Sequence, residues 1–261
     1  MKFIGIIPAR YASTRFPGKP LADIGGKPMI QRVCEQASKV LDTVVVATDD
    51  TRIFDTVTNF GGHAVMTRAD HKCGTDRCLE AFEKLKAESI KYKDDETVII
   101  NIQGDEPFIQ PEQIIAVQGC FDRPDTQIAT LVKPFTSENT LADLENPNTP
   151  KVAFNDDRQA ILFSRSVIPY LRGIPKEEWL QHGKHYKHIG LYAYRADVLA
   201  QITQLPQSSL EQAESLEQLR WLENGFRIRV AVCHTQSVGI DTPEDLEKAN
   251  KWLKEHTPNN N

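Results

Sequence analysis

The sequence predicts an α/β fold: a mostly parallel sheet flanked by helices, with a smaller α+β region inserted late in the chain. In the first hundred residues, short runs that are apolar throughout alternate with stretches of helical periodicity. Such strands are typical of a parallel sheet covered by helices on both faces. From about Gln110 the pattern loosens, and a polar stretch with two Asn-Pro or Thr-Pro pairs follows. A chain of 261 residues is long enough for one large domain or two small ones.

The first half supplies the regular elements. Each apolar run ends in a loop or turn signal, and Pro28 is well placed near a helix start. The predicted strands cover residues 3–7, 44–48, 64–66 and 97–102, and helical spacing predicts helices over 29–41, around 53–57 and after Thr75-Asp76.

The second half is predicted to contain a hairpin and further mixed elements. The turn at 155–158 separates two short apolar runs, as in a β-hairpin. The predicted strands cover 128–132, 152–154, 160–163, 189–194 and 228–233, and the predicted helices cover 114–117, 215–224 and 243–253. We therefore divide the chain into an α/β body, residues 1–133 and 211–261, and an inserted region, 134–210, which is expected to contribute substrate and dimer contacts.

Charge and cysteine content narrow the function classes. A net charge of -5 argues against a general nucleic-acid binder or a protein that binds anionic membranes. Basic clusters in an acidic chain favour a small anionic ligand instead. The five cysteines are odd in number and scattered, so we expect no disulfide framework and a cytoplasmic location. The apolar run 3–7 is too short for a membrane span.

The loop from Ile7 to Pro20 is the first candidate binding element. It follows the first predicted strand and places Arg10, Arg15 and Lys19 within ten residues of one another. Neither the Walker A spacing nor the three glycines of the dinucleotide fingerprint is present. A basic loop at the carboxyl end of a first strand is a place to hold an anion. The alternative is a solvated basic loop.

Two aspartates are candidate metal ligands. Asp105 follows a buried strand. At that position its carboxylate could hold a hard cation such as Mg2+ together with phosphate oxygens. The alternative is that Asp105 only forms a turn. Near the carboxyl terminus, Thr242 and Asp245 are spaced as a capping box with Pro243 at the first helical position. That leaves Asp241 available as a second carboxylate.

Two further stretches admit alternatives. Gly74 allows close backbone approach at a helix N-terminus and Arg77 adds a charge, although an N-cap at Thr75 with a surface arginine is also possible. A zinc site of His71, Cys73 and Cys78 is disfavoured, because these ligands lack a second paired half. The histidines of the basic patch 184–188 alone resemble surface residues.

Taken in order, these motifs resemble a known family over nearly the whole chain. They are Ile7-Pro8-Ala9-Arg10-Tyr11-Ala12-Ser13-Thr14-Arg15, Pro17-Gly18-Lys19-Pro20, Gly74-Thr75-Asp76-Arg77, Gln103-Gly104-Asp105-Glu106-Pro107, Phe163-Ser164-Arg165, His188-Ile189-Gly190-Leu191-Tyr192, Leu216-Glu217-Gln218-Leu219-Arg220 and Asp241-Thr242-Pro243-Glu244-Asp245-Leu246. The set resembles the 3-deoxy-manno-octulosonate (KDO) cytidylyltransferases, or CMP-KDO synthetases. The departures are Cys73, where serine is frequent, and 236–238, which is less glycine-rich.

The resemblance implies a Rossmann-like nucleotide-binding sheet and a reaction of lipopolysaccharide precursor synthesis. The anomeric hydroxyl of KDO would attack the α-phosphate of CTP, giving CMP-KDO and pyrophosphate. The implied catalytic residues are Lys19, Arg10, Asp105 and Asp241, with Mg2+ on the two aspartates. The implied nucleotide contacts are Ala9, Arg10, Ser13, Arg15, Lys19, Gly74, Arg77 and Asp105, and the implied sugar contacts are Gln103, Arg165, His188, Tyr192, Glu217 and Gln218.

The resemblance also implies a homodimer that binds neither nucleic acid nor membranes. Two alternatives stay open at this point. One is a CTP-dependent synthetase for another ulosonic acid, such as 8-amino-KDO or a sialic acid. The other is a catalytically silent nucleotide-binding protein on the same fold, since a fold does not by itself give a function.

Overall fold

The computed structural model describes residues 1–12, 16–89, 91–235 and 239–256. The chain divides into two compact units. Unit 1 comprises Met1–Ile114 and Gln236–Asn261, and unit 2 comprises Ile115–Thr235.

Unit 1 is built on a parallel sheet. Its strands are β1 (Lys2–Ala9), the short pair β2 (Asp23–Ile24) and β3 (Lys27–Pro28), then β4 (Val44–Thr48), β5 (His63–Met66) and β6 (Thr97–Asn101). The long strands lie in the order β6, β1, β4, β5, with every neighbouring pair parallel. Residues such as Ile6, Val46 and Ile99 are fully buried, as strands covered on both faces require. The predicted α/β fold with a mostly parallel sheet is confirmed.

The helices of unit 1 alternate with these strands. They are α1 (Met29–Ala37), α2 (Thr51–Asn59), α3 (Gly74–Glu88) and α4 (Pro111–Gly119), the last of which extends into unit 2. Helix α1 begins directly after Pro28, as predicted, but ends before Leu41 because the amides of Lys39 and Val40 bond to carbonyls only three residues back. Helix α3 begins at Gly74 with Cys73 as its N-cap, so the alternative of an N-cap at Thr75 is wrong.

Unit 2 combines a mixed sheet with short helices. Its elements are β7 (Ile128–Pro134), α5 (Leu141–Glu145), β8 (Lys151–Phe154), β9 (Ala160–Ser164), α6 (Trp179–His182), β10 (Tyr186–Arg195), α7 (Ala196–Ile202), α8 (Ser209–Glu214), α9 (Gln218–Glu223) and β11 (Ile228–Val232). Strand β7 pairs in parallel with β11 and antiparallel with β10, and β8 forms the predicted hairpin with β9.

The helix predicted over 215–224 begins three residues later in the structure, at Gln218. Helix α8 ends at Glu214, Ser215 adopts the left-handed conformation with φ 50°, and α9 begins at Gln218. The guanidinium of Arg165 accounts for the break, because it takes the carbonyls of Glu214 and Ser215 as acceptors. The predicted end of the helix at Gly225, with φ 81°, is confirmed.

The boundaries of the compact units differ from the predicted division at 134 and 210. Strand β11 pairs with β7 along the whole length of β11, and β7 also pairs with β10, so the three strands fall in one unit. The roles proposed for the inserted region, sugar binding and dimerisation, stay a prediction.

The last element, α10 (Pro243–His256), belongs to unit 1. Its apolar side packs against buried Ile24, Met29 and Ile240. At its start the predicted capping box is present: Thr242 Oγ1 accepts from the amide of Asp245, and the Asp245 carboxylate accepts from the amide of Thr242. In the described ranges, no helix has the length and apolar character needed to cross a bilayer.

Candidate active site

A cleft of about 290 Å³ opens in unit 1 at the carboxyl ends of β1 and β6. This is where ligands bind in open parallel sheets. Eight of the residues singled out in the sequence line it: Ala9, Arg10, Lys19, Gly74, Arg77, Gln103, Asp105 and Asp241. The structure therefore brings together segments that the sequence separates by more than two hundred residues.

Three charged side chains meet in this cleft. The Lys19 Nζ lies 2.7 Å from Asp105 Oδ2 and 3.3 Å from Asp241 Oδ1. The lysine side chain is 16% exposed, whereas those of Asp105 and Asp241 are 32% and 53% exposed. Two carboxylates thus converge on one ammonium group while keeping a face open to solvent.

Local backbone bonds explain this convergence. The amide of Ile240 donates to the carbonyl of Asp105 at 2.9 Å, which joins the two aspartate segments directly. The amide of Asp241 donates to the Asp245 carboxylate at 3.2 Å, so its backbone is fixed to the start of α10. Lys19 opens a short 3₁₀ helix, Lys19–Leu21, entered through Gly18 in the left-handed conformation at φ 72°.

The paired aspartates fit a magnesium ion. Mg2+ is usually held by one or two carboxylates, with water and substrate phosphate oxygens as the other ligands. Here two carboxylates already share a cation, the Lys19 ammonium. Within the described ranges no group of three or more His, Cys, Asp or Glu side chains converges on one point, so a fully protein-built metal cage is not what these residues form.

Two glycines allow the walls of the cleft to come close. A Cβ on Gly104 would lie 3.2 Å from the carbonyl oxygen of Pro8, and one on Gly74 would lie 3.2 Å from Pro8 Cγ. The loop after β6 and the first turn of α3 therefore both pack against the end of β1. The amino terminus of α3 consequently lies at the cleft, where its partial positive charge favours an anion.

Arg77 is not the surface residue of the alternative interpretation. It is 4% exposed, and its guanidinium contacts Asp49 at 3.4 Å and Thr67 Oγ1 at 2.5 Å. Its charge is therefore already paired inside the protein, although the residue also lines the cleft. A contact between Arg77 and a nucleotide stays a prediction.

Three of the predicted sugar residues lie close together within unit 2. The rings of His188 and Tyr192 are 5.2 Å apart, and burial, with the Glu217 carboxylate, holds the pKa of the Tyr192 hydroxyl well above its usual value. Gln218, beside Glu217 at the start of α9, is buried. Its Nε2 has no hydrogen-bond partner among the described residues, as expected of a donor that bonds to a ligand or to water.

His188 is enclosed rather than lying on the surface. Its Nε2 is 3.0 Å from Thr130 Oγ1, and burial lowers the pKa of the imidazole to about 3. The ring is therefore neutral at pH 7, so it would bond to a substrate carboxylate as a neutral group rather than as a cation. His185 is buried, with its ring stacked on Trp179, and His188 is half-buried, so neither histidine is the surface residue that the basic patch suggested.

Arg165 has a structural environment that the sequence did not predict. Its guanidinium donates to the carbonyls of Pro147, Glu214 and Ser215, and its amide donates to the Glu214 carboxylate. Three of its five side-chain donors are therefore used by backbone. These bonds fix the backbone of the turn that leads to Glu217.

Two residues that line the cleft were not predicted to do so from the sequence. Lys72 and His71 both line the cleft. Their position directly before Cys73-Gly74 could have indicated this role. His71 was considered only as a zinc ligand, but its Nε2 lies 2.5 Å from the Glu80 carboxylate. Ser13 and Arg15, two of the predicted nucleotide contacts, lie outside the described ranges.

Comparison with known proteins decides the family. A cytidylyltransferase family model matches residues 4–229. The 3-deoxy-manno-octulosonate cytidylyltransferase of Parabacteroides distasonis is 62% identical over 97% of this chain and 98% of its own. This chain belongs to the 3-deoxy-manno-octulosonate cytidylyltransferase family. The enzyme of that name from Bacteroides thetaiotaomicron is 60% identical, over 97% of this chain and 99% of its own.

A solved structure supports the same assignment for the fold. CMP:2-keto-3-deoxy-manno-octonic acid synthetase complexed with CTP is 44% identical, with a TM-score of 0.86 over 98% of this chain and 99% of that one. The resemblance seen in the sequence motifs is confirmed. Membership of the 3-deoxy-manno-octulosonate cytidylyltransferase family also favours KDO over the alternative ulosonic acids.

Proposed function

We propose that this cytidylyltransferase joins CTP and KDO to give CMP-KDO and pyrophosphate, a step that supplies activated sugar for lipopolysaccharide. The observation that carries the proposal is the meeting of Lys19 with Asp105 and Asp241 in one solvent-accessible cleft. A cationic group beside two converging carboxylates is what a metal-bound triphosphate requires.

The cations of the cleft are assigned to the triphosphate. Arg10 is exposed at the end of β1 and lines the cleft, so its charge is available to the β- and γ-phosphates. Lys19 is assigned to the α-phosphate, where negative charge gathers as the sugar oxygen attacks in line and pyrophosphate leaves. Catalysis of phosphoryl-type transfer depends mainly on positioning and electrostatic stabilisation, which these two side chains can provide.

Asp105 and Asp241 are assigned to hold Mg2+. When bound, the ion would neutralise phosphate charge and lower the pKa of a coordinated hydroxyl. Within the protein, the two carboxylates keep Lys19 extended into the cleft. Gly74 and Arg77 at the start of α3, together with Ala9, Ser13 and Arg15, are proposed nucleotide contacts.

The sugar contacts are proposed from the family pattern and from the chemistry of the side chains. Gln103, Arg165, His188, Tyr192, Glu217 and Gln218 offer amide, hydroxyl, carboxylate and nitrogen groups suited to the hydroxyls and carboxylate of KDO. The buried, unpaired Nε2 of Gln218 supports this assignment most directly. The homodimer is likewise proposed, and sedimentation of the purified protein at micromolar concentration would test it.

A pyrophosphate-release assay tests the proposed reaction. With CTP, Mg2+ and KDO supplied together we expect release of one pyrophosphate per CMP-KDO, and none when any one of the three is omitted. Parallel reactions with 8-amino-KDO and with a sialic acid separate the alternatives, because a preference for either would replace KDO as the substrate. No release with any sugar acid, despite measurable CTP binding, would favour the catalytically silent alternative.

A further inference from the structure

An aromatic residue, Tyr11, lies between Arg10 and Lys19 in the first loop. Tyr11 directly follows Arg10, and its carbonyl accepts a hydrogen bond from the amide of Gly18 at 3.0 Å, one residue before Lys19. That bond ties the two ends of the loop together. This hydrogen bond therefore fixes the distance between Tyr11 and Gly18.

The ring of Tyr11 is enclosed on two sides. A Cβ on Gly18 would lie 3.1 Å from the ring carbon Cζ and 3.2 Å from the hydroxyl oxygen, so the glycine backbone packs directly against the ring. The guanidinium carbon of Arg52 lies 3.3 Å from the ring centroid. Planar guanidinium stacking of this kind combines dispersion with attraction to the negative face of the ring.

Arg52 itself is held in place by α2. Its Nε and NH2 donate to the two carboxylate oxygens of Asp50 at 2.9 and 2.6 Å, and Asp50 also caps the helix by accepting from the Arg52 amide. A bidentate pair fixes the plane of the guanidinium as well as its position. The start of α2 therefore presents a rigid, flat cation to Tyr11.

We propose that Arg52 and Tyr11 are positioning residues for CTP: the guanidinium of Arg52, stacked on Tyr11 and locked by Asp50, holds the loop that carries Arg10 and Lys19. We call these three residues the Arg52 clamp. The inference rests on the proposed function, since it assigns the loop to the triphosphate. It adds residues from α2 that have no place in the catalytic set described above.

The clamp acts through shape, which distinguishes it from simple attraction of an anion by Arg52. Arginine stacks as a plane and binds a carboxylate at two points, whereas lysine offers only a point charge. The Arg52→Lys variant would keep the charge but lose the planar stacking on Tyr11. The two roles therefore predict opposite behaviour for Arg52→Lys.

Steady-state kinetics on four variants test the proposal, with pyrophosphate release by the wild-type protein establishing the reaction in the same assay. For Arg52→Ala, Arg52→Lys and Tyr11→Leu we expect kcat/KM for CTP to fall by about tenfold or more, because loosely held cations meet the triphosphate in the wrong geometry. Tyr11→Phe keeps the ring face and should stay within about twofold of wild type. The KM for KDO should stay unchanged throughout.

The double variant Arg52→Ala/Tyr11→Leu gives the sharpest measurement. Because the two side chains act through one contact, the double variant should lose little more than either single variant, whereas independent effects would multiply. Calorimetric titration with CTP gives the same comparison without turnover. If the substitutions acted only by lowering the stability of the fold, the melting temperature would fall while KM for CTP stayed constant.

Arg195→Ala is a matched control, because Arg195 forms a bidentate pair with Asp197 at 3.0 and 2.8 Å in unit 2 and has the same two-residue spacing as Asp50 and Arg52. Its kinetics should match those of the wild type. Normal kcat/KM for CTP in Arg52→Lys would assign Arg52 to charge alone and overturn the proposal. A kcat/KM for CTP within twofold of wild type in Arg52→Ala, or multiplying effects in the double variant, would overturn it as well.

Discussion

Asp105→Asn and Asp241→Asn are each expected to lower kcat by at least about 100-fold. Each change keeps the size of the side chain but removes one of the two negative charges that converge on Lys19. The remaining carboxylate alone would hold Mg2+ weakly. Pyrophosphate release at saturating CTP and KDO, measured over a range of Mg2+ concentrations, provides the test.

The same variants should remain folded. The two aspartates are 32% and 53% exposed, and ion pairs that reach solvent contribute only about 0–1 kcal/mol to the free energy of unfolding. For a chain of this length, that corresponds to a change in melting temperature of about 2–4 °C at most. Glu244→Gln is a suitable control, since this exposed acidic residue lies in the first turn of α10. Turnover within threefold of wild type in either aspartate variant would refute the assignment of the metal ligands.

Lys19→Ala is expected to lower kcat by about 10²–10³-fold, as removal of a group that stabilises transition-state charge does. Its effect on the dissociation constant of CTP should be smaller, below about tenfold, because other cations of the cleft retain the triphosphate. Lys72→Ala is the matched comparison, because Lys72 lines the same cleft. We expect that variant to bind CTP less tightly while keeping most of its kcat.

Lys19→Ala also offers a readout that does not depend on turnover. In the structure, the Lys19 ammonium bonds to both carboxylates and so competes with a divalent cation for them. Removing it should therefore tighten the binding of Mn2+ to the protein without nucleotide, measured by electron paramagnetic resonance. An unchanged kcat with weaker CTP binding would reassign Lys19 to recognition of the ground state.

Much of the α/β body follows from local sequence patterns. The apolar run at 44–48 forms a strand with the predicted bounds, and the capping box of Thr242 and Asp245 forms as its spacing requires. Asp105 was inferred because it follows a buried strand, and Asp241 because it directly precedes the capping box of the last helix. Parallel strands place their carboxyl ends on one edge of the sheet, so the convergence of distant residues was within reach.

The features that local sequence patterns did not predict depend on contacts between residues far apart in the chain. The helix predicted to start at Ser215 starts only at Gln218, after a turn at which Arg165 bonds to the carbonyls of Glu214 and Ser215. Arg52 resembles an ordinary surface residue of an amphipathic helix, and only the folded chain shows its guanidinium on Tyr11. The boundaries of the compact units likewise depend on which strands pair, which local patterns do not reveal.

The most direct test of the central claim is a crystal structure of the protein with CTP and Mn2+, in which anomalous scattering locates the metal. The account predicts metal density between Asp105 and Asp241, in contact with phosphate oxygens, with Lys19 and Arg10 on the triphosphate. A triphosphate bound away from Lys19, or a metal that touches neither aspartate, would contradict it.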